Sequence, residues 1–207
     1  MSVTNRFRTF LKCYCHGIAY LLLAGSFQVH AHNATPRETV ETTVNAILDI
    51  LRNDKLEREE ARVMMRAEIS KSFDARAMSQ SVLSTNWRDA SKEQQEAFQT
   101  LFMETLENTY IGRIEAYTNE EVEFRKEEIN NNRATVNSVI LASNNDIPVN
   151  YKLRLRSDGW FVYDVEVENI SMVSSYRETY RSVVRRDGID GLLAQMREKA
   201  AQGQEQQ

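Results

Sequence analysis

Asp164, Glu166 and Glu168 stand at alternate positions, and their types and spacing come nearest to an acid–base set. Such a set works only when burial or a neighbouring charge moves one carboxyl away from its ordinary pKa. Phe161, Tyr163, Val165 and Val167 alternate with the three, so a strand here turns the carboxylates toward solvent. Glu120-Glu121-x-Glu123 and Glu127-Glu128 read the same way, as solvated strand edges. His32 could join an N-terminal amine in holding copper, or could simply be a terminal residue.

Nucleophilic and zinc chemistry depend on what the first 31 residues are. Arg6, Arg8 and Lys12 precede the apolar run Ile18–Phe27, and Val29-His30-Ala31 offers small residues at −3 and −1. This is the pattern of a cleaved export signal, and the run is too short to span a bilayer. Ser26 stands where a lipoprotein would carry its lipidated cysteine, so the exported chain is expected to be untethered. Cleavage would remove Cys13, Cys15, His16 and His30, leaving His32 as the last histidine. Ser-His-Asp and Cys-His nucleophiles and the common zinc sets are then excluded. No glycine-rich phosphate loop is present. Losing Arg6, Arg8 and Lys12 leaves 23 basic residues against 30 acidic, a net charge of −7. That balance argues against nucleic acid and against electrostatic docking to an anionic membrane.

The elements that would position these residues follow from periodicity. Thr35-Pro36-Arg37-Glu38 opens a helix with a capping box, and Val40, Val44, Ile47, Leu48 and Leu51 give it an apolar face. A second helix is expected over 57–70, and a third after Asp74. Ser91-Lys92-Glu93-Gln94 caps a long fourth helix whose stripe runs from Phe98 through Leu106 and Tyr110 to Tyr117. From Val122 the period changes to two. Strands follow at 122–125, 134–142, 147–155 and 160–167, with turns at Asn130–Asn132, Ser143–Asp146 and Asp158-Gly159. Ser171 caps a last long helix that Gly188 ends, and a short helix with Leu192, Leu193 and Met196 comes after it. The fold class is α+β: N-terminal helices, a four-stranded antiparallel meander and C-terminal helices in one domain over 32–200. Residues 201–207 form a polar, disordered tail. Aromatic and methionine side chains on the long helices face an apolar sheet, and periodicity does not distinguish a filled core from one with a ligand cavity.

Several short segments follow one another in a set order and spacing over more than 100 residues. They are Phe73-Asp74, Val82-Leu83, Trp87-Arg88-Asp89-Ala90-Ser91, Gln95…Phe98…Phe102…Leu106…Thr109-Tyr110, Pro148-Val149-x-Tyr151, Gly159-Trp160-x-Val162-x-Asp164-Val165 and Ile170-Ser171-Met172-Val173-x-x-Tyr176-Arg177. Together they resemble the MlaC, or toluene-tolerance auxiliary, family of periplasmic phospholipid-binding proteins. Ser84 and Asn169 depart from the pattern, standing where glycine is usual in that family.

The resemblance implies helices and sheet enclosing an apolar cavity for phospholipid tails, with no cofactor and no catalytic residue. On that basis the expected lining is Val149, Tyr151, Leu153, Phe161, Tyr163 and Val165 from the strands, facing Phe102, Leu106 and Tyr110. Met172, Val173 and Tyr176 would lie near the mouth, and Arg177 would meet a head group or a structural acid. Trp87 and Trp160 read as packing anchors. The implied partners are an outer-membrane lipoprotein (MlaA) and an inner-membrane ABC transporter with an MCE-domain protein (MlaD), met by a monomeric carrier that binds no nucleic acid. Other readings keep the cavity for a hopanoid or another apolar ligand, make the chain a lipid-acting enzyme, or make it an adaptor with a filled core.

Overall fold

The structure, a computed structural model, describes residues 34–116, 120–142 and 145–204. The segment 1–31 expected to be an export signal, His32, Tyr117 and the expected turn positions Ser143 and Asn144 fall outside them. The described elements belong to one compact unit, Asn33–Gln207. They are α1 (Pro36–Leu51), α2 (Arg58–Ser72), α3 (Ala75–Leu83), α4 (Asn86–Asp89), α5 (Lys92–Glu115), β1 (Glu121–Asn130), β2 (Arg133–Leu141), β3 (Ile147–Arg156), β4 (Gly159–Val167), β5 (Ile170–Ser171) and α6 (Met172–Gln204).

Local chemistry accounts for the helix ends. In α1 the Thr35 hydroxyl accepts from the Glu38 N–H and the Glu38 carboxylate accepts from the Thr35 N–H. Ser91 and Gln94 repeat the arrangement at α5. Each reciprocal pair satisfies two donors that the first turn leaves without partners. In α6 the helix bends at Gly188, whose φ of 70° and ψ of −176° only glycine adopts without strain. It then continues to Gln204, four residues into the segment read as a disordered tail.

The sheet is antiparallel in the order β1-β2-β3-β4-β5, so the four-stranded expectation falls one strand short. β5 pairs Ser171 with Glu166 and Ile170 with Val167. The tight turn before it holds Glu168 and Asn169 at φ of 52° and 66°. Asparagine tolerates that region best of the non-glycine residues, which is how Asn169 stands in for glycine. The β3–β4 turn also moves by one residue. Arg156 pairs with Gly159, so Ser157 and Asp158 form the turn and Gly159, at φ 133°, opens β4.

Ser84 ends α3 at φ 54° and ψ −122°, a region suited to glycine. The strain of a side chain there is of order 1 kcal/mol or more. Ser84→Gly is therefore expected to stabilise the domain by about 1 kcal/mol, read as a rise in the midpoint of urea unfolding.

Three apolar clusters make the core. The helical cluster gathers Met78, Val82, Leu83, Trp87, Phe98, Phe102, Leu106, Val173, Tyr180, Leu192, Leu193 and Met196 from α3 to α6. The sheet cluster joins Val40 of α1 to Ala134, Val136, Val149, Leu153, Val162 and Val165. A smaller one, around Ile50, Met65 and Ile111, holds the far end of α5 against α1 and α2. Beside it Arg62, only 5% exposed, donates to Glu115 at 2.6 Å, and Arg58 donates to the same carboxylate at 2.8 Å.

Hydrogen bonding from Arg62 holds the Glu115 carboxyl down at about 2; burial opposes the shift and Arg58 adds to it. A carboxyl depressed in the folded state contributes stability above its unfolded pKa and loses it as pH falls through the folded one. Stability from this group is thus complete above pH 4.5 and is expected to disappear toward pH 2. The span corresponds to roughly 3 kcal/mol. Glu115→Gln should flatten that part of the acid limb in unfolding free energies measured from pH 6 to about 2.

Candidate binding site between the helices and the sheet

The residues expected to line a cavity fall into two groups that meet. Phe102, Leu106 and Val173 are buried in the helical cluster, with Tyr110, Met172 and Tyr176 half-buried against it. Val149, Leu153 and Val165 are buried in the sheet cluster, with Tyr151 half-buried against it. Met172 and Phe73 pack against both clusters, which places the seam between the two layers at these side chains.

Two elements explain why Met172 and Phe73 lie there. Asp164 is buried and accepts from the Val173 N–H at 3.1 Å and from the Ser171 hydroxyl at 2.7 Å. The Ser171 oxygen accepts in turn from the Ser174 N–H at 3.0 Å. The first turn of α6 is thereby pinned to β4, and Met172 projects where the clusters join. On the other side, the Asp74 N–H donates to the Val162 carbonyl at 2.8 Å, and Phe73 forms a bridge to the same strand position. The Asp74 carboxylate accepts from the Ala77 N–H at 2.9 Å and from Arg154 at 2.7 and 2.8 Å. Arg156 lies 3.4 Å from the same oxygen.

Asp164 therefore corrects one expectation: it is buried as the anchor of α6, not part of a solvated carboxylate row. Glu166 does face partly outward and pairs with Lys152, while Glu168 is a turn residue. A second correction concerns Phe161 and Tyr163. Val165 pairs with Tyr151 and Asp164 with Lys152, but Leu153 pairs with Val162, so Tyr163 is an extra residue in β4. This β-bulge shifts the alternation. Trp160 and Val162, not Phe161 and Tyr163, join Val165 and Val167 in the sheet cluster. The displaced rings are covered by guanidiniums on the opposite face, Arg156 over Phe161 at 4.4 Å and Arg133 over Tyr163 at 5.0 Å.

Among the described residues Arg177 meets no acid. Its Nε donates to the Ser81 carbonyl at 2.7 Å and ties α6 to α3. Trp87 is buried in the helical cluster and Trp160 packs against the sheet cluster. Val40 and Val44, whose helical spacing was the available signal, also reach the sheet cluster although they were absent from the expected lining.

The seam is aromatic and electrically neutral. Phe98 and Phe102 stack at 5.7 Å, and Tyr176 meets the Phe102 ring edge-on at 5.3 Å. The Tyr176 hydroxyl donates to Thr109 at 3.2 Å. Burial pushes the Tyr151 and Tyr180 phenols up to about 12, against smaller opposing hydrogen bonds to Ser138 and Thr105. Burial also raises Tyr110. All three stay protonated across the physiological range, so the surface they form suits hydrocarbon and offers no base. Among the described residues no group of three or more His, Cys, Asp or Glu side chains is placed to hold a metal. No helix among them is long and apolar enough to cross a membrane. Clefts among the described residues include two that Phe73 and Met172 do not line. One, of about 260 Å³, runs between the α3–α4 turn and α6; the other, of about 180 Å³, includes Thr39, Lys71 and Phe161.

A family model described as MlaC protein matches residues 41–198. The chain belongs to the MlaC family. One relative, the intermembrane phospholipid transport system binding protein MlaC of Haemophilus influenzae, is 28% identical over 127 residues. That alignment covers 58% of this chain and 59% of the relative, so the chain spans about three-fifths of the relative's length. A phospholipid-binding protein from Ralstonia solanacearum, solved in complex with a phospholipid, superposes with a TM-score of 0.77. It covers 82% of this chain and 99% of its own at 22% identity, a likeness of fold. The α+β architecture read from periodicity is thus shared with that solved structure, and β5 is the strand that the periodicity did not give.

Proposed function

We propose that this MlaC-family chain is a soluble phospholipid carrier of the periplasm, exported by cleavage after residue 31, that moves lipid between the outer and inner membranes. The observation that carries the reading is the neutral seam between two apolar clusters, in a chain of this family. A carrier meets a large barrier. Each exposed CH₂ costs about 0.8 kcal/mol, so one sixteen-carbon chain in water costs on the order of 12 kcal/mol. A protein that buries the tails removes that cost without cofactor or catalysis, and the seam's protonated tyrosines provide neither nucleophile nor base. Tails enter by parting the clusters along Phe73 and Met172. Val149, Tyr151, Leu153 and Val165 then line one wall, and Phe102, Leu106, Tyr110, Val173 and Tyr176 the other. The transfer partners are an outer-membrane lipoprotein of the MlaA kind and an inner-membrane transporter bearing an MlaD-type MCE domain.

Mass spectrometry of the organic extract from detergent-free protein tests the reading. Phospholipid is expected near one molecule per chain, along with a melting temperature that rises when lipid is added back. A lipid-free extract with an unmoved melting temperature would overturn the carrier reading. Recovery of a hopanoid in place of phospholipid would keep the site and change its ligand.

A further inference from the structure

The 260 Å³ cleft between the α3–α4 turn and α6 shares only Arg177 with the expected lipid lining. Its floor is apolar, formed by Val82, Leu83, Tyr180 and Val184. Its rim is Ser84, Thr85 and Asn86 on one side and Arg177 and Arg181 on the other. No carboxylate lines it, in a chain whose acidic residues outnumber its basic ones.

The two arginines stand one helical turn apart on the same face of α6. Like charges at that spacing repel unless something lies between them. Eight arginines among the described residues are in ion pairs: Arg37, Arg58, Arg62, Arg66, Arg125, Arg154, Arg156 and Arg186. Among the described residues Arg177 and Arg181 have no ion-pair partner, and the one side-chain bond of the pair there is from Arg177 Nε to the Ser81 carbonyl. That bond fixes the guanidinium plane and leaves both Nη groups available. The exposed Ser84 and Thr85 hydroxyls and the half-buried Asn86 amide likewise have no side-chain hydrogen bond among the described residues. Ser84 is held at φ 54°, and strained backbone of this kind concentrates at ligand sites.

We propose that this cleft binds a phosphate ester, with Arg177 and Arg181 as its two forks and Ser84, Thr85 and Asn86 as neutral donors. A phosphate monoester offers three terminal oxygens and up to two negative charges to the two guanidiniums, whereas a carboxylate offers two oxygens and one charge. The cleft is smaller than sites for drug-sized ligands, which suits a head-group-sized molecule. The ester can come from the head group of a bound lipid or from a free metabolite. The inference does not need the carrier reading, because the site is complete without the seam.

Glycerol 3-phosphate is the probe, titrated into the purified chain in phosphate-free buffer and followed by amide and arginine Nε NMR shifts. Saturable shifts are expected at Ser84, Thr85, Asn86, Arg177 and Arg181, with none from glycerol and weaker ones from glutarate. Arg181→Gln should weaken binding about tenfold, and Arg177→Lys, which keeps the charge and loses the fork, should also weaken it. Ser84→Gly should weaken binding while raising stability, a combination that a purely structural role would not give. Unsaturated shifts up to about 20 mM probe, equal binding of glutarate, or unchanged binding by Arg181→Gln would each overturn the proposal. Protein preloaded with phosphatidylglycerol separates the sources. Displaced probe would assign the site to the lipid head group, and unaltered binding to a free ester, both with the cleft as the phosphate site. Lipid retained by a chain that ignores the probe would overturn this inference and leave the carrier reading standing.

Discussion

Asp74→Ala is expected to lower the unfolding free energy by about 2–3 kcal/mol, from a lost helix cap and lost charge-assisted hydrogen bonds to partly exposed guanidiniums. The Asp74 side chain is only 2% exposed, so its contacts are screened little by water. One carboxylate caps α3 at the Ala77 N–H and holds Arg154 by two short contacts, with Arg156 further off. Removing it leaves an unsatisfied helix donor, worth about 1 kcal/mol, beside a guanidinium without its acid. Asp74→Asn keeps the capping oxygen and loses the charge, so an intermediate loss should follow. Urea unfolding of both variants, with Arg154→Ala and the double variant, completes a cycle for the pair. A loss below about 1 kcal/mol for Asp74→Ala would show that the helical layer does not depend on this anchor.

Met172→Glu is expected to reduce retained phospholipid by tenfold or more while leaving the chain folded. Met172 packs against both clusters at the point where they are proposed to part, so a carboxylate there would face acyl chain. Burying that charge against hydrocarbon costs several kcal/mol, and each 1.4 kcal/mol is a factor of ten in affinity. The position is also the first residue of α6, where an acidic side chain favours the helix, which protects folding. Tyr163→Glu is the matched control. The bulge places Tyr163 on the other face, beside Arg133, and lipid retention should change by less than about twofold. Lipid bound equally by Met172→Glu and wild type would mean that tails enter elsewhere. Loss in Tyr163→Glu would mean that the outer face contributes.

What the sequence determined by itself was local. Thr35 with Glu38 and Ser91 with Gln94 satisfy each other across three residues, so these helix starts need no tertiary partner. Gly188 and Asn169 are legible for a similar reason, since a positive φ is a property of one residue and its neighbours. The strands of β1 to β4 also follow from period-two alternation, and with them the α+β class. Leu153 and Val149 face the core as alternation requires, because β3 carries apolar residues on one face only.

The tertiary structure decided the face that each residue of β4 presents. Trp160, Phe161, Val162 and Tyr163 are four successive apolar residues, so both faces of that strand are equally apolar and alternation alone carries no choice. Three contacts distant in sequence make the choice: Asp74 N–H on the Val162 carbonyl, Lys152 opposite Asp164, and the Asp164 carboxylate under the first turn of α6. Together they need one extra residue, and Tyr163 supplies it as the bulge. The same non-local bonding buries Asp164, which resembles its solvated neighbours in type and spacing. It also brings Ser84 and Arg181, nearly a hundred residues apart, to one cleft. Caps and turns are settled by bonds within a few residues, whereas bulges, buried carboxylates and clefts depend on which segments arrive beside them.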